Sequence, residues 1–365
     1  MIKSLHIENF KCFRDQRFEF GNLTLLSGLN GTGKSSVIQS LILLRQSYQH
    51  GFLQDKKLLL NGDLIRLGTT QDVHFHQAEH DQFGFGLEFC SVSAKWYFEY
   101  ARQAEIARLT SDPASDDVYN TSLFGDNFHY LPADRVGPQA AFKIFDYAVR
   151  ERKQLGGKSE YAPHFLHEFE TETLTDKRIH PDVPETNLKN QVEAWMGEIS
   201  SGVRIELENF PTIDLIDLRY SFPDTGELST YRSINVGFGI TYTLPIVVAL
   251  LASQADALVL LENPESHLHP QGQFKLGELM ARAASCGIQV IVESHSDHVL
   301  NGIRVAVRKG IIPSDEVSLY YLSRSAEADR LSSKVDSPRV DEDGRIDEWP
   351  EGFFDEWEKS LEQLF

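Results

Sequence analysis

From residue 2 to residue 20 apolar and polar positions alternate, the spacing of two extended strands, with a short turn expected near Arg14 and Asp15. Residues 22–27 form a continuous apolar run, and after a glycine-rich break residues 37–48 repeat with helical period. Strand, loop and helix therefore follow one another directly. Asn61-Gly62 signals a turn, and alternation resumes over residues 83–100. From about residue 141 to 200 the period is helical, broken by Gly156 and Gly157 and by a loop over 176–184 that holds Pro181 and Pro184. A second lobe begins near Val203. Its long apolar run, 236–252, contains Thr241, Thr243 and Pro245 and lacks the flanks of a membrane span, so it reads as a buried helix. Two short apolar runs, 257–261 and 289–292, read as buried strands.

Composition narrows this picture. A chain of 365 residues with 41% hydrophobic and 24% charged residues holds one large domain or two ordinary ones around a sizeable core. Its formal net charge of −19 opposes general affinity for phosphate backbones, which leaves nucleic acid to a local basic patch, a metal or a partner. Cys12, Cys90 and Cys286 lie far apart without C-x-x-C spacing, which fits a reducing cytoplasm and argues against disulfides or zinc. The first residues lack the apolar core of a signal peptide, so a cytoplasmic protein without a membrane partner is expected.

The glycine-rich break supplies the chemistry. GLNGTGKSS, residues 28–36, fits G-x-x-x-x-G-K-[ST] through Gly28, Gly33, Lys34 and Ser35, with strand before and helix after. Backbone N–H groups wrap a phosphate closely only where side chains are absent, and a helix N-terminus adds partial positive charge. Lys34 is expected at the β- and γ-phosphates and Ser35 on Mg²⁺, with Asn30, Gly31, Thr32 and Ser36 completing the loop around ATP.

IKSLHIENFKCFRD followed by FEFGNLTLLSGLNGTGKSS resembles the opening of the ABC-type ATPase heads of the SMC, RecF and overcoming-lysogenization-defect branch, where an I-x-N-F-K-x-F strand pair precedes the phosphate loop. The resemblance places Gln71 where such heads carry a glutamine loop sensing Mg²⁺ and the γ-phosphate; a lone glutamine at a strand edge is more often a solvated residue. YLPADRVGP, residues 130–138, resembles an A-x-R-x-G-P segment of defence-type ATPases, and also reads as a surface pair, Asp134 and Arg135, flanking a Gly137-Pro138 turn. Five bases, Lys143, Arg150, Arg152, Lys153 and Lys158, face Asp146 and Glu151 in the region where SMC-like heads emit a helical insertion. They are either a solvated helix face or the contact for a nucleic acid or a partner.

Gly237 and Gly239 sit where ABC-type heads place their signature segment, ahead of a helix expected to start near Thr241, and would present N–H groups to the γ-phosphate of ATP on a second copy. The letters L-S-G-G-Q are absent, and a glycine-kinked entry to a core helix is the other reading. Glu262, an acid ending a buried strand, suits Mg²⁺, a hard cation that prefers carboxylate oxygens. Related heads place a catalytic glutamate next, where this chain has Asn263; Glu265 is the nearest replacement to orient or deprotonate water. Residues 266–270 match the loop that crosses to the opposite protomer, and His295 matches the switch histidine at the γ-phosphate. His267, His269, His295 and His298 lack the helical context of a metal site such as H-E-x-x-H.

Near the end, residues 341–362 carry ten acids against two bases. An Asp-Gly hairpin turn at Asp343-Gly344 is expected in place of a calcium loop, with Trp349, Phe353, Phe354 and Trp357 packing a closing helix. The expected fold is an α/β P-loop ABC-type ATPase head: a mixed central sheet with flanking helices, an N-terminal antiparallel β-subdomain and a short helical insertion. The expected segments are 1–140 (first lobe), 141–202 (insertion), 203–325 (second lobe) and 326–365 (acidic hairpin and helix). VGFGIT, ENPESHLHP, ESHSDHVLNGIR and WPEGFFDEW mark a resemblance to a bacterial ATPase group of phage-defence operons. That implies a head-to-tail dimer around two ATP·Mg²⁺ that senses or regulates for a separate nuclease, since the chain leaves no room for a nuclease domain. The alternatives are a RecF/SMC-like repair or chromosome-maintenance ATPase and a slow-turnover nucleotide-gated scaffold.

Overall fold

The computed structural model describes residues 1–222, 229–324 and 332–364, with the side chains of 356–359 outside that set. The chain forms two compact units, one of Met1–Gly125, Val317–Val340 and Ile346–Phe365 and the other of Asp126–Glu316 and Asp341–Arg345.

The first unit opens with a hairpin of β1 (Ile2–Phe10) and β2 (Phe13–Glu19). Its register sets Phe10 opposite Phe13, so the turn is Lys11-Cys12, earlier than the Arg14-Asp15 position expected. Burial of both phenylalanines decides this: each is 2% exposed or less, whereas Arg14 and Asp15 are exposed along β2, and Lys11 takes a φ of 52° to close the turn. After β3 (Leu23–Gly28), helix α1 (Lys34–Gln49) is buried on nearly every side. Its inward polar groups are all engaged. Arg45 donates to the carbonyls of Leu123 and Gly125, and Gln46 bonds the backbone of Leu59 and Ile65. Short β4 (Lys57–Leu59) and α2 (Thr70–Val73) lead to β5 (Gln82–Phe89), β6 (Ser93–Glu99) and β7 (Ile106–Arg108), which pairs with β4. The order β2-β1-β5-β6 is antiparallel throughout, and Phe10, Phe83, Phe85 and Phe98 fill its buried face with edge-to-face and tilted ring contacts. This is the antiparallel β-subdomain expected from the alternating pattern.

The second unit contains β8 (Phe128–Leu131), β9 (Phe142–Lys143), α3 (Ala162–Phe169), α4 (Leu188–Gly197), β10 (Arg204–Phe210), β11 (Leu215–Ser221), β12 (Thr230–Arg232), α5 (Phe238–Ala252), β13 (Leu258–Glu262), α6 (Pro270–Ser285), β14 (Gln289–Glu293) and α7 (Asp297–Arg308). Strands β14, β13 and β8 lie parallel in that order, and Leu258, Val259, Leu260 and Leu261 are fully buried, as a parallel strand covered on both faces requires. A separate antiparallel sheet, β10-β11-β12, takes in β9 beside β11. Helix α5 is the buried helix read from residues 236–252, and among the described residues no helix is long and apolar enough to cross a membrane.

Helices α6 and α7 pack backbone to backbone. A Cβ on Gly302 would stand 2.1 Å from the carbonyl oxygen of Phe274, and one on Gly277 would stand 2.4 Å from that of Val299. Only hydrogen fits at this crossing.

The chain then returns to the first unit with β15 (Val317–Arg324), parallel to β3, and β16 (Ser333–Asp336), antiparallel to β15, which makes that sheet mixed. Residues 341–345 turn as expected. Val340 bridges Ile346, Gly344 N–H donates to the Asp341 carbonyl, and the Asp341 carboxylate accepts from the N–H groups of Asp343 and Arg345. Phe353 is buried against Tyr321, but Trp349 is 46% exposed and Leu364, in α8 (Glu356–Leu364), 75%. Among the described side chains of the closing aromatic run Phe353 is the buried one, with the Trp349 and Phe354 rings packed on it, and the Trp357 side chain lies outside the described residues.

Gly302→Ala is expected to lower stability by at least about 2 kcal/mol, because a backbone carbonyl has no rotamer with which to give way. Gly197→Ala, at a helical glycine with nothing within 4 Å, is the control and is expected to be neutral or slightly stabilising. Denaturant midpoints of the two variants check both.

Candidate functional site

In the first unit the phosphate loop is built against the β1–β2 turn. Gly33, the residue before α1, has a φ of 102°, and a Cβ there would meet Cys12 Sγ at 2.3 Å and the Phe13 ring at 2.8 Å. The N-F-K-C-F opening thus shapes the loop by contact. The Thr32 carbonyl accepts from Ser333 Oγ at 2.6 Å and from Cys12 Sγ at 3.8 Å, while Ser333 N–H donates to the Cys12 carbonyl. Burial pushes the Cys12 thiol up, which keeps it neutral beside the loop. Lys34 is 3% exposed, and its Nζ donates to the carbonyls of Gly28 (3.0 Å) and Leu29 (2.8 Å). The loop is closed around its own ammonium. Asn30 and Gly31 are exposed, Thr32 and Ser36 buried, and Ser35 half-buried at the helix start.

Gln71 is exposed on the one-turn helix α2, where its Oε1 accepts from Arg102 Nε at 3.2 Å; the expected strand edge is a helical turn closed by a Thr69–Asp72 capping box.

In the second unit the acids gather at the ends of β13 and β14. Glu262 accepts from Tyr130 Oη at 3.2 Å and from Ala133 N–H at 3.0 Å. Burial pushes its carboxyl up, and those two donors pull it partly back. Asn263 then turns the chain at a φ of 45°, with its N–H on the Glu293 carbonyl, and its buried Oδ1 has no hydrogen-bond partner among the described residues. Glu265 is held at both oxygens, Oε2 by Ser294 Oγ (2.8 Å) and Oε1 by His295 N–H (2.7 Å). The structure therefore brings Glu262, Glu265 and His295 together at the ends of the adjoining parallel strands β13 and β14, with the His295 side exposed.

Gly237 is the N-cap of α5, and Gly239 lies inside its first turn, so the helix begins at Phe238, earlier than the Thr241 expected. A Cβ on Gly239 would stand 2.4 Å from the His267 carbonyl, and the Phe238 and Tyr242 rings pack on the His267 ring at 4.5 and 5.4 Å. His269 caps α6, Ser296 caps α7, and the Ser296 hydroxyl reaches Gln273 Oε1 across the pair.

Arg135 is not a surface residue. It is 3% exposed and faces backbone carbonyls, while Asp134 pairs with Lys158 at 2.6 Å. Four of the five clustered bases are ion-paired: Arg150 with Asp146 and Glu168, Arg152 with Asp126, Lys153 with Glu172, and Lys158 as above. The group of three metal-capable side chains among the described residues is His180, Asp182 and Glu198, away from the four histidines noted above. There Lys275 already neutralises Glu198, and the His180 Nδ1 accepts from Asp182 N–H. Tyr130, Ala133 and Ser294 hold the acids and are legible in sequence only as neighbours of YLPADR and ESHS.

Because burial raises the Glu262 carboxyl above the ordinary Glu value, the folded state holds that proton more tightly, and the stability tied to it is lost as pH rises through the raised value. A glutamine keeps one acceptor for Ala133 N–H and offers an N–H to Tyr130. Glu262→Gln is therefore expected to melt at or above the wild-type temperature at pH 8, with its advantage shrinking toward pH 4. Thermal melts across that range check the sign, and a variant that melts lower at pH 8 would contradict it.

Residues 23–301 match the family described as "AAA domain, putative AbiEii toxin, Type IV TA system", and residues 312–364 match a protein family of unknown function, DUF3696. The chain is 23% identical over 329 residues to the OLD nuclease of Thermus scotoductus, covering 81% of this chain and 59% of that protein. It is 22% identical over 227 residues to the DNA replication and repair protein RecF of an Exiguobacterium species, covering 61% and 53%. The chain thus spans somewhat more than half the length of these relatives. Among solved structures, an SMC head bound to the C-terminal winged-helix domain of ScpA superposes with a TM-score of 0.58 at 16% identity, covering 93% of this chain and 98% of that one. The fold is that of an SMC-type P-loop ATPase head, and the chain belongs to the AAA-domain family described as a putative AbiEii toxin of a type IV toxin–antitoxin system.

Proposed function

We propose that this chain is an ATP-binding and ATP-hydrolysing head that closes head to tail as a dimer around two ATP·Mg²⁺ and regulates or senses for a separate effector, a nuclease, in cytoplasmic anti-phage defence. The observation that carries the nucleotide part is the loop itself: Lys34 Nζ is enclosed by the carbonyls of Gly28 and Leu29, at the N-terminus of α1, where the backbone N–H groups carry partial positive charge. A phosphate offers that ammonium and those N–H groups charge-assisted bonds stronger than the neutral ones. Hydroxyl, carboxylate and amide carbonyl oxygens are donors for a hard cation such as Mg²⁺, and Ser35, Glu262 and Gln71 are the residues we assign to it. Bound Mg²⁺ supplies positive charge to the phosphate oxygens.

Glu265 orients the attacking water in this reading. Each of its oxygens already accepts one bond, and a carboxylate has roughly four lone-pair directions, so acceptor capacity remains for water. His295 N–H fixes that carboxylate, and in this reading the exposed His295 contacts the γ-phosphate. Gly237, with Gly239 behind it, offers the N-terminus of α5 to the phosphate of a second copy's nucleotide. The defence role draws support from the family description and from the likeness to an OLD nuclease. The ion-paired basic cluster and the charge of −19 favour it over a RecF-like DNA clamp. A slow-turnover scaffold is the second reading, favoured by Asn263, whose amide cannot take a proton from water.

Phosphate release and mass in solution, with and without ATP and Mg²⁺, test the proposal. Wild type is expected to bind ATP and double its mass. Lys34→Ala is expected to lose at least about tenfold in ATP affinity and to stay monomeric. Glu265→Gln is expected to keep the ATP dimer while release falls about a hundredfold. A wild type that ignores ATP in Mg²⁺ would sink the proposal, and a stable ATP dimer without release would transfer the conclusion to the scaffold.

A further inference from the structure

We propose that Arg135 is a positioning residue for hydrolysis: its guanidinium locks the loop after β13 to the first turns of α5, so that Glu262 and Glu265 keep their working geometry. The role in hydrolysis rests on the ATPase reading above; the mechanical lock does not.

Arg135 donates in four directions from one plane. Nε bonds the Tyr242 carbonyl at 3.0 Å, Nη1 bonds those of Pro132 (3.0 Å) and Glu262 (2.9 Å), and Nη2 bonds that of Asn263 at 3.2 Å. Its Cζ lies 3.7 Å from the centre of the Tyr242 ring, and the Tyr242 hydroxyl in turn donates to the Ala133 carbonyl. Three segments therefore meet on one side chain.

The choice of acceptors points to positioning. A buried cation is best stabilised by a carboxylate bonded to it, yet the described hydrogen bonds of Arg135 all go to backbone carbonyls and its plane to an aromatic face, while Glu265 and Glu262 act on it through space. Burial pushes its guanidinium down to about 10, which still leaves it charged at neutral pH. What this arrangement secures is the orientation of peptide groups. Fixing the carbonyls of Glu262 and Asn263 fixes both peptide planes around the left-handed Asn263, and these decide where the Glu262 side chain leaves β13 and where Glu265 arrives opposite Ser294. The far end of the same loop is held by His267 against Phe238, Gly239 and the same Tyr242 ring. Pro245 has no N–H to give to the Thr241 carbonyl, four residues before it, and so interrupts the ladder of α5 one residue before Tyr242. Lysine has three donors and no plane, so it cannot serve four carbonyls and a ring together.

The full chain carrying Arg135→Lys or Arg135→Met is compared with wild type. Both variants are expected to lose at least about tenfold in kcat for ATP hydrolysis, with KM within about threefold. Amide hydrogen exchange is expected to accelerate in residues 238–243 and 262–268 while residues 34–49 keep the wild-type rate. Wild-type kcat in Arg135→Lys, uniform acceleration along the whole chain, or wild-type exchange in both segments would each overturn the proposal. If wild type does not hydrolyse ATP, the ATPase reading fails by itself, and the exchange pattern still decides whether Arg135 is the lock. Should neither Arg135 variant fold, Tyr242→Leu removes the stacked ring and leaves the carbonyls; it is expected to give the same segment-limited acceleration, and wild-type exchange there would overturn the lock.

Discussion

A positive charge lies buried in the second unit with four carbonyls and a tyrosine ring around it, and the order of the neighbouring loop depends on that solvation. Peptide carbonyls are weak partners for a cation individually, and they succeed here because one planar group meets all of them at fixed angles. The loop cannot rearrange at Glu262 or Asn263 without leaving the guanidinium undersolvated. Order at this edge is thus enforced from beneath, by desolvation, and from above by the two bonds that hold Glu265.

The same loop contains two costly local choices. Asn263 adopts a left-handed conformation, of order 1 kcal/mol or more for a residue with a side chain, and its Oδ1 is buried without a hydrogen-bond partner among the described residues. Neither improves packing. Both follow from sending the chain sharply from β13 into a proline, Pro264, so that Glu265 faces the end of β14. The position that related heads are expected to fill with a glutamate is taken by a residue that shapes backbone, and the carboxylate appears two residues later.

Much of this was legible in the sequence where local rules are strong. The phosphate loop, the buried strands ending in Glu262 and Glu293, and helix α5 follow from fixed letters and from apolar runs too long to be solvated. What escaped depended on partners distant in sequence. The hairpin turn fell at Lys11-Cys12 because Phe10 and Phe13 both had to be buried, a tertiary demand that outweighed the polar Arg14-Asp15 pair. Arg135 reads as a surface residue beside Asp134 until β13 and α5 close over it. The bases of residues 150–158 look like a patch only because Asp126, Asp134, Glu168 and Glu172 lie outside the window in which they are counted. Gly239 entered α5 because the helix could start as soon as the chain cleared His267.

The crossing of α6 and α7 has a mechanical meaning. Both helices start beside the loop that carries Glu265, α6 after His269 and α7 after Ser296, and they touch through Gly277 and Gly302 with no side chain between them to deform. Side-chain contacts act as springs, whereas two backbones in direct contact act as a rivet. The two helices are therefore held to one another directly at that crossing, and Arg304, near the opposite end of α7, bonds the Gly344 carbonyl. In this unit the acidic turn at 341–345 is thus tied through Arg304 to the same riveted helix pair whose starts flank the loop around Glu265.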